Sequence, residues 1–451
     1  MTTALAHPAA AIILAAGKGT RMKSELPKVM HKVANMPMIG HVMSMADAVG
    51  LSPLSLVIAP EQTSVQTYAR NLIADVRIAY QREQLGTAHA VLAAREALEG
   101  FEGHLVVLYG DTPLIRPETV NALLETINRD RKNAVAVLGF RPADAGEYGR
   151  LIVNDAGELE AIVEFKDATT EQRAVGLCNS GVMVIRGTVA WELLTQIDNK
   201  NAKEEYYLTD VVKLARQAGY TARITEASPE EVLGVNARTE LAVAESSMQQ
   251  RLRERAMVNG ATLIAPETVF LSADTDIGRD VIIEPHVVIG PEVSIGDKVE
   301  IRSYSHIAGT VIGESAVIGP FARLRPGTSI GEDAKIGNFV EVKKSDIEAG
   351  AKISHLSYIG DATIGADANI GAGTITCNYD GYNKYRTTVG RGAFIGSNTA
   401  LIAPVKVGDG AIVAAGSVIT ENVEADALAV ARTRQAQKED WAKTFRDKNK
   451  K

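Results

Sequence analysis

Cysteine is scarce in this chain, with only Cys178 and Cys377 among 451 residues. Two thiols so placed make no disulfide framework, and no Cys-x-x-Cys or Cys/His cluster offers zinc a site, so a reducing, cytoplasmic setting is expected. Long apolar runs are lacking too. No stretch approaches the roughly 18 residues of a membrane helix, so no membrane partner is expected. The run Ala9 to Ala16 has no basic residue before it and ends in Gly17-Lys18-Gly19, which reads as a buried strand rather than a leader. Positive charge is in deficit: 48 Lys and Arg face 55 Asp and Glu, a net charge of -7. That balance argues against a nucleic-acid partner and leaves anionic small molecules open wherever basic residues gather.

What is present is a globular composition, 46% apolar and 23% charged, over a length that calls for two or three domains. From Ala11 to about Gly234, short aliphatic strands alternate with helical segments: Ala11 to Leu14, Leu56 to Ile58, Val76 to Ala79, Leu105 to Leu108 and Ala134 to Leu138. This pattern predicts an α/β domain with a mostly parallel sheet. Thr239 to Asn259, free of Gly and Pro and closed by Gly260, predicts a single connecting helix. The expected domains are therefore 1–236, a linker over 237–260, and 261–451.

Beyond the linker an aliphatic residue recurs at every sixth position, from Ile277 through Ile283, Ile289, Ile295, Ile301 and Ile307. The count restarts at Ile312, Ile347, Ile364 and Val389, and ends at Ile419. Such a period predicts a parallel solenoid with three flat faces per coil, each giving one aliphatic to the interior. Roughly eight coils, stacked about 4.8 Å apart, make a prism on the order of 40 Å long. Residues 374 to 388 leave the register and predict a projecting loop. The repeat resembles the hexapeptide acyltransferase family, which implies a left-handed parallel β-helix, a hand that periodicity alone does not give.

Two glycines in Leu14-Ala15-Ala16-Gly17-Lys18-Gly19-Thr20-Arg21-Met22 let backbone N–H groups approach a phosphate after the first strand. Met22 stands where a dinucleotide fingerprint has its third glycine, so the loop alone is weak evidence. Pro27-Lys28 adds a second cation on a rigid approach. Tyr109-Gly110-Asp111 closes an aliphatic strand, which puts Asp111 at a carboxyl end, where α/β ligands bind, although taken singly it reads equally as a turn residue. Together these motifs resemble the sugar-1-phosphate nucleotidyltransferases. Transfer between two anions needs charge neutralisation above all, here from Mg²⁺ with Lys28 and Arg21. It needs no general base, since a phosphate monoester with a second pKa near 6 is already mostly a dianion at pH 7.

Nearly the whole chain is similar to the bifunctional uridylyltransferase/acetyltransferase family of bacterial cell-wall precursor synthesis. That resemblance implies a UTP and UDP-N-acetylglucosamine site at Leu14, Ala15, Ala16, Gly17, Arg21, Lys28, Tyr109 and Gly110. It implies that Gln81, Gly86 and Thr87 face the uracil, that Gly149, Glu164 and Asn179 contact the sugar, and that Asp111 and Asn236 hold the metal. Arg325 and Lys343 bring cations to neighbouring coils of an acidic protein, as a sugar-phosphate clamp requires, or else belong to a solvated surface. His355, in His355-Leu356-Ser357-Tyr358, is alone among the eight histidines in matching a catalytic motif, and an imidazole suits the base that must deprotonate an amino sugar. Tyr358 and Asn369 are then sugar-phosphate or acetyl-site residues, and Ala372, Asn378, Tyr379, Ser397, Ala415 and Arg432 line the acetyl-CoA site. Cys377 has no activating base in its motif and reads as a packed thiol. Family members are trimers with active sites between subunits, so a homotrimer is expected.

The main reading is thus an enzyme that acetylates glucosamine-1-phosphate with acetyl-CoA, then transfers UMP from UTP to the resulting N-acetylglucosamine-1-phosphate. The alternatives are a monofunctional sugar-1-phosphate nucleotidyltransferase with a regulatory β-helix, and a non-catalytic scaffold. His355 and the irregular loop stand against the first; Lys28 and Asp111 stand against the second.

Overall fold

The wholly buried strand Ala9–Leu14 lies inside a nine-stranded sheet of a computed structural model that describes residues 7–450. The chain divides into two compact units, one ending at Gln249 and the other starting at Gln250. In the first, the main path of the sheet runs Thr221–Ala227, Asn133–Phe140, Cys178–Ile185, His104–Tyr109, Ala9–Leu14, Leu54–Ile58, Arg77–Tyr80. Pairing is parallel except along Cys178–Ile185, which runs antiparallel to both of its neighbours on that path. The short hairpin Arg150–Val153 and Leu159–Val163 joins the same strand at Cys178. Alternate side chains bury on opposite faces: Ile13, Leu56 and Leu108 in one core, Ile12, Val57 and Val107 in the other. Two covered faces explain why these strands read as continuous aliphatic runs.

Neighbouring parallel strands end together, with Gly110 N–H donating to Leu14 O at 2.9 Å and Gln81 N–H to Ile58 O at 2.9 Å. The loops after these strands are thereby brought to one edge. The expected connecting helix forms over Arg238–Val258, and the division between the units falls within it.

The second unit is a left-handed parallel β-helix with sheets of ten, eight and eight strands. Partners on one face step from Ile277 to Ile295, Ile312, Ile330, Ile347 and Ile364, then jump to Val389 and Val407. The long step contains the irregular segment, but its bounds differ from expectation. Ile375–Cys377 is a strand, and Thr376 pairs with Leu401 and is fully buried. Its hydroxyl accepts from Gly360 N–H at 2.8 Å and lies 3.1 Å from Gly360 O, so a polar residue fills an aliphatic place with its hydrogen bonds satisfied. The six-residue register therefore continues from Ile370 to Thr376, and only the segment after Cys377 projects. Tyr379 bridges Lys384 and Tyr385 N–H donates to Asn378 O at 2.9 Å, which makes that projection a hairpin.

The prism's corners turn through left-handed residues. At one corner they are Asp280, Lys298, Ser315 and Asp333, and at another Glu292, Lys344 and Asp361. At the third they are His286, Tyr304, Phe321, Phe339 and Leu356. The rings of the first four stack in sequence, with centroids 5.0, 5.0 and 5.1 Å apart, along an exposed edge.

Candidate active sites

The first cleft is built where the parallel strands end. Leu14, Ala15, Ala16 and Gly17 line it on one side, Gln81, Gly86 and Thr87 on another, and Lys28, Tyr109 and Asp111 at its base. Gly19 adopts φ 60°, and a Cβ there would stand 2.6 Å from Lys28 Cβ; the glycine lets the lysine stem lie against the loop. The Lys28 ammonium donates to Asp111 Oδ2 and, at 3.0 Å, to Asn236 Oδ1. One carboxylate and one amide oxygen, 125 positions apart in sequence by number, thus converge on a single positive charge. Among the described residues no group of three or more His, Cys, Asp and Glu forms a metal cage. A carboxylate with one neutral oxygen still suits Mg²⁺, which binds through one or two carboxylates and completes its shell with water and substrate phosphates.

Gln81 is buried and its amide donates to Gly86 O at 3.1 Å, which fixes its orientation. Thr87 Oγ1 accepts from Leu208 N–H at 3.1 Å. Four further residues line the cleft that the motifs did not single out: the apolar Val29 and Ala90, Gln84, which donates to Ala16 O at 2.7 Å, and Glu205. Arg21 is exposed and is not among the residues of this cleft. It sits in the short turn Thr20–Met22, whose geometry sends the buried Met22 inward instead.

Gly149, Glu164 and Asn179 lie outside that lining and gather around the antiparallel strand. Asn179 N–H donates to Gly149 O at 2.8 Å, and Asn179 Oδ1 accepts from Gly181 N–H at 3.0 Å. The ring of Tyr109 packs on Gly181, and its hydroxyl pKa is pushed far up by burial and then by Asp111 and Glu164. Tyr109 therefore stands between the two groups of residues as a neutral phenol. Burial also raises the pKa of Glu164, whose Oε1 accepts from Thr209 at 3.4 Å.

On the β-helix, His355 Nδ1 lies 2.6 Å from Asn338 Oδ1, and the two residues are paired in adjacent coils. An amide oxygen is an acceptor only, so Nδ1 carries the proton and Nε2 keeps a lone pair. Asn338 was not legible as a site residue from any motif. Arg325 donates to Glu341 Oε1 at 2.8 Å, so its charge is partly offset. Lys343 instead meets Lys384 from the projecting hairpin, and this neighbour, followed by burial and Arg325, lowers its pKa. Lys384 is a second residue missed in the sequence. Asn378 donates to Asp361 at the hairpin's base, and Tyr379 is exposed beyond it.

Ala372, Ser397 and Ala415 follow one another down the edge that carries the stacked rings higher up. There the corner residues change to Gly373, Asn398 and Gly416, which opens the edge, and Arg432 Cδ passes 3.9 Å from where a Gly416 Cβ would stand. Asn369 is half-buried in the strand beside Lys352. Cys377 is half-buried, and burial raises its pKa, which disfavours a thiolate.

A MobA-like NTP transferase domain model matches residues 11–177, and a bacterial transferase hexapeptide model of six repeats matches 274–309, 309–344 and 386–421. Among curated proteins, the bifunctional protein GlmU of Rhodospirillum rubrum is 58% identical, covering 97% of this chain and 97% of its own. The GlmU proteins of Paramagnetospirillum magneticum and Zymomonas mobilis are 56% and 54% identical, over 97% and 98% of this chain and 96% and 99% of theirs. With a nucleotidyltransferase unit, a hexapeptide β-helix and such identity end to end, the chain belongs to the bifunctional GlmU family of enzymes.

Proposed function

We propose that the chain makes UDP-N-acetylglucosamine in two steps, acetyl transfer from acetyl-CoA to glucosamine-1-phosphate on the β-helix, then uridylyl transfer from UTP in the N-terminal domain. The domains are 1–236 for uridylyl transfer, 237–260 as connecting helix and 261–451 for acetyl transfer. The observation that carries the reading is the His355–Asn338 contact, because it leaves one imidazole nitrogen free as a base where a bare scaffold needs none.

In the acetyl site, Arg325, Lys343 and Lys384 hold the sugar phosphate, with Tyr358 and Asn369 orienting the sugar. His355 Nε2 removes a proton from the ammonium, the neutral amine attacks the thioester carbonyl, and as the C–S bond breaks the second amine proton passes to the leaving sulfur, so that coenzyme A departs as the thiol. Asn338 stabilises the imidazolium that forms by accepting from Nδ1. Ala372, Asn378, Tyr379, Ser397, Ala415 and Arg432 line the coenzyme's path.

In the uridylyl site, Gln81, Gly86 and Thr87 read the uracil, and Gly149, Glu164 and Asn179 seat the N-acetylglucosamine beside Tyr109. Asp111 and Asn236 are the residues that would hold Mg²⁺, which when bound neutralises phosphate charge. Lys28 and the loop Leu14 to Gly17 carry the remaining anion, and Arg21 reaches it from the exposed rim. The chain works as a cytoplasmic homotrimer, as flat-sided β-helices favour packing about a threefold axis.

The test supplies glucosamine-1-phosphate, acetyl-CoA, UTP and Mg²⁺ and follows both products. His355→Ala loses acetyl transfer by about 10²–10⁴-fold and keeps uridylyl transfer; Asp111→Ala does the reverse. Normal acetylation by His355→Ala removes the base from the argument, and a wild type inactive in both assays leaves the scaffold reading in place.

A further inference from the structure

At the amino ends of the strands Ala9–Leu14 and His104–Tyr109, opposite the nucleotide cleft, a second cleft opens between His7, Glu102, His104, Arg186 and Thr188. His104 is 6% exposed. Its Nε2 contacts Asn128 Oδ1 at 2.9 Å, and the Asn128 amide donates to Leu124 O at 2.8 Å, which identifies Oδ1 as acceptor and Nε2 as the protonated nitrogen. Nδ1 is left as a buried lone pair, and among the described residues it has no partner. Burial lowers the imidazole pKa against the opposing pull of the Asn128 bond, with Arg186 and His7 adding to the lowering.

The helix Gly187–Thr195 begins at this cleft with no side-chain cap. Among the described residues, neither the Gly187 nor the Thr188 N–H has a protein acceptor, so both retain the positive end of the helix for an outside group. A Cβ on Gly187 would stand 2.0 Å from Gly103 O, so no larger residue could cover these amides. Arg186 is fixed by bonds to the carbonyls of Asn133, Ile127 and Asp130. His7 lies with its ring 5.9 Å from that of His104, and the Glu102 side chain stays on the exposed rim.

The cleft thus combines a guanidinium, a helix terminus and two N–H donors with one buried acceptor. A metal cation meets Arg186 and the helix dipole, and a fully ionised anion leaves Nδ1 facing a lone pair. We propose that the cleft binds an oxyanion that keeps one proton, hydrogen phosphate or a singly protonated phosphate monoester. Its P–O–H donates to His104 Nδ1, and its other oxygens accept from Gly187 and Thr188 N–H.

Calorimetric titration of the full chain with inorganic phosphate tests this, in a Lys28→Ala/Lys343→Ala background that weakens phosphate binding at the two proposed catalytic sites. His104→Gln keeps an amide N–H where Nε2 stands and removes Nδ1; Thr188→Pro removes one N–H in a first helical turn, where proline is tolerated. Each substitution weakens phosphate by about tenfold or more, and sulfate, which has no proton to donate at neutral pH, binds about tenfold more weakly than phosphate. Unfolding midpoints without phosphate identify a variant that fails to fold, and Thr188→Pro then decides alone. The proposal is overturned if phosphate gives no binding in this background, if both cleft variants bind as tightly as their parent, or if sulfate binds equally well.

Discussion

Asn338 and His355 show how a single amide can set the direction of proton transfer. The register Asn338↔His355 puts the two side chains in adjacent coils, and the 2.6 Å contact selects which nitrogen is basic. Asn338→Leu should therefore lower kcat for acetylation by about tenfold to a hundredfold while KM changes little, because the imidazole is free to take the wrong tautomer. Steady-state kinetics on both substrates separates this from a binding defect, which would raise KM instead. His355 was legible because its motif is local. Asn338 was not, since a coil-to-coil neighbour depends on where the turns of the solenoid shorten. Lys384 was hidden for a different reason: it lies in a hairpin that obeys no repeat, and nothing in the sequence says which face the hairpin bends over.

At the scale of the element, the aliphatic pattern predicted nearly every strand of the β-helix, and it failed where a polar residue took an inward place. Thr376 sits at the six-residue position after Ile370, yet its hydroxyl binds both the N–H and the carbonyl of Gly360. Restoring the pattern with Thr376→Val should destabilise the β-helix by about 1–3 kcal/mol, because a buried N–H loses its acceptor while no volume is gained. Denaturant titration measures this; an unchanged or increased midpoint would show that Gly360 has another acceptor. In the nucleotidyltransferase unit the inner parallel strands were plain in the sequence, since burial on both faces leaves aliphatic runs, whereas Thr221–Ala227, half-exposed at the end of the sheet, has no such run and went unpredicted. Cys178–Ile185 was not, because its first half, Cys178-Asn179-Ser180-Gly181, is polar and bulged where it carries Asn179.

Across the whole molecule, two building plans share one chain: a layered sheet whose cores join distant segments, and a solenoid in which each coil touches its neighbours. Composition and periodicity made both legible, because each plan has its own hydrophobic period. Residue-level contacts to sugar and coenzyme came from family resemblance, as single polar residues such as Glu164 or Ser397 carry no period. The edge of stacked rings gives the two plans separate optical signatures. His286, Tyr304, Phe321 and Phe339 form a chiral column of chromophores confined to the β-helix, while Trp191 packs against a core of the first unit and Trp441 is already half-exposed. The difference in near-ultraviolet circular dichroism between the wild type and a Phe321→Leu/Phe339→Leu variant, which removes the stacking on Tyr304, should follow the melting of the coils, and tryptophan fluorescence that of the sheet. Two curves that do not superimpose are the expected result, so the ring column serves as a built-in spectroscopic reporter of one half of the protein.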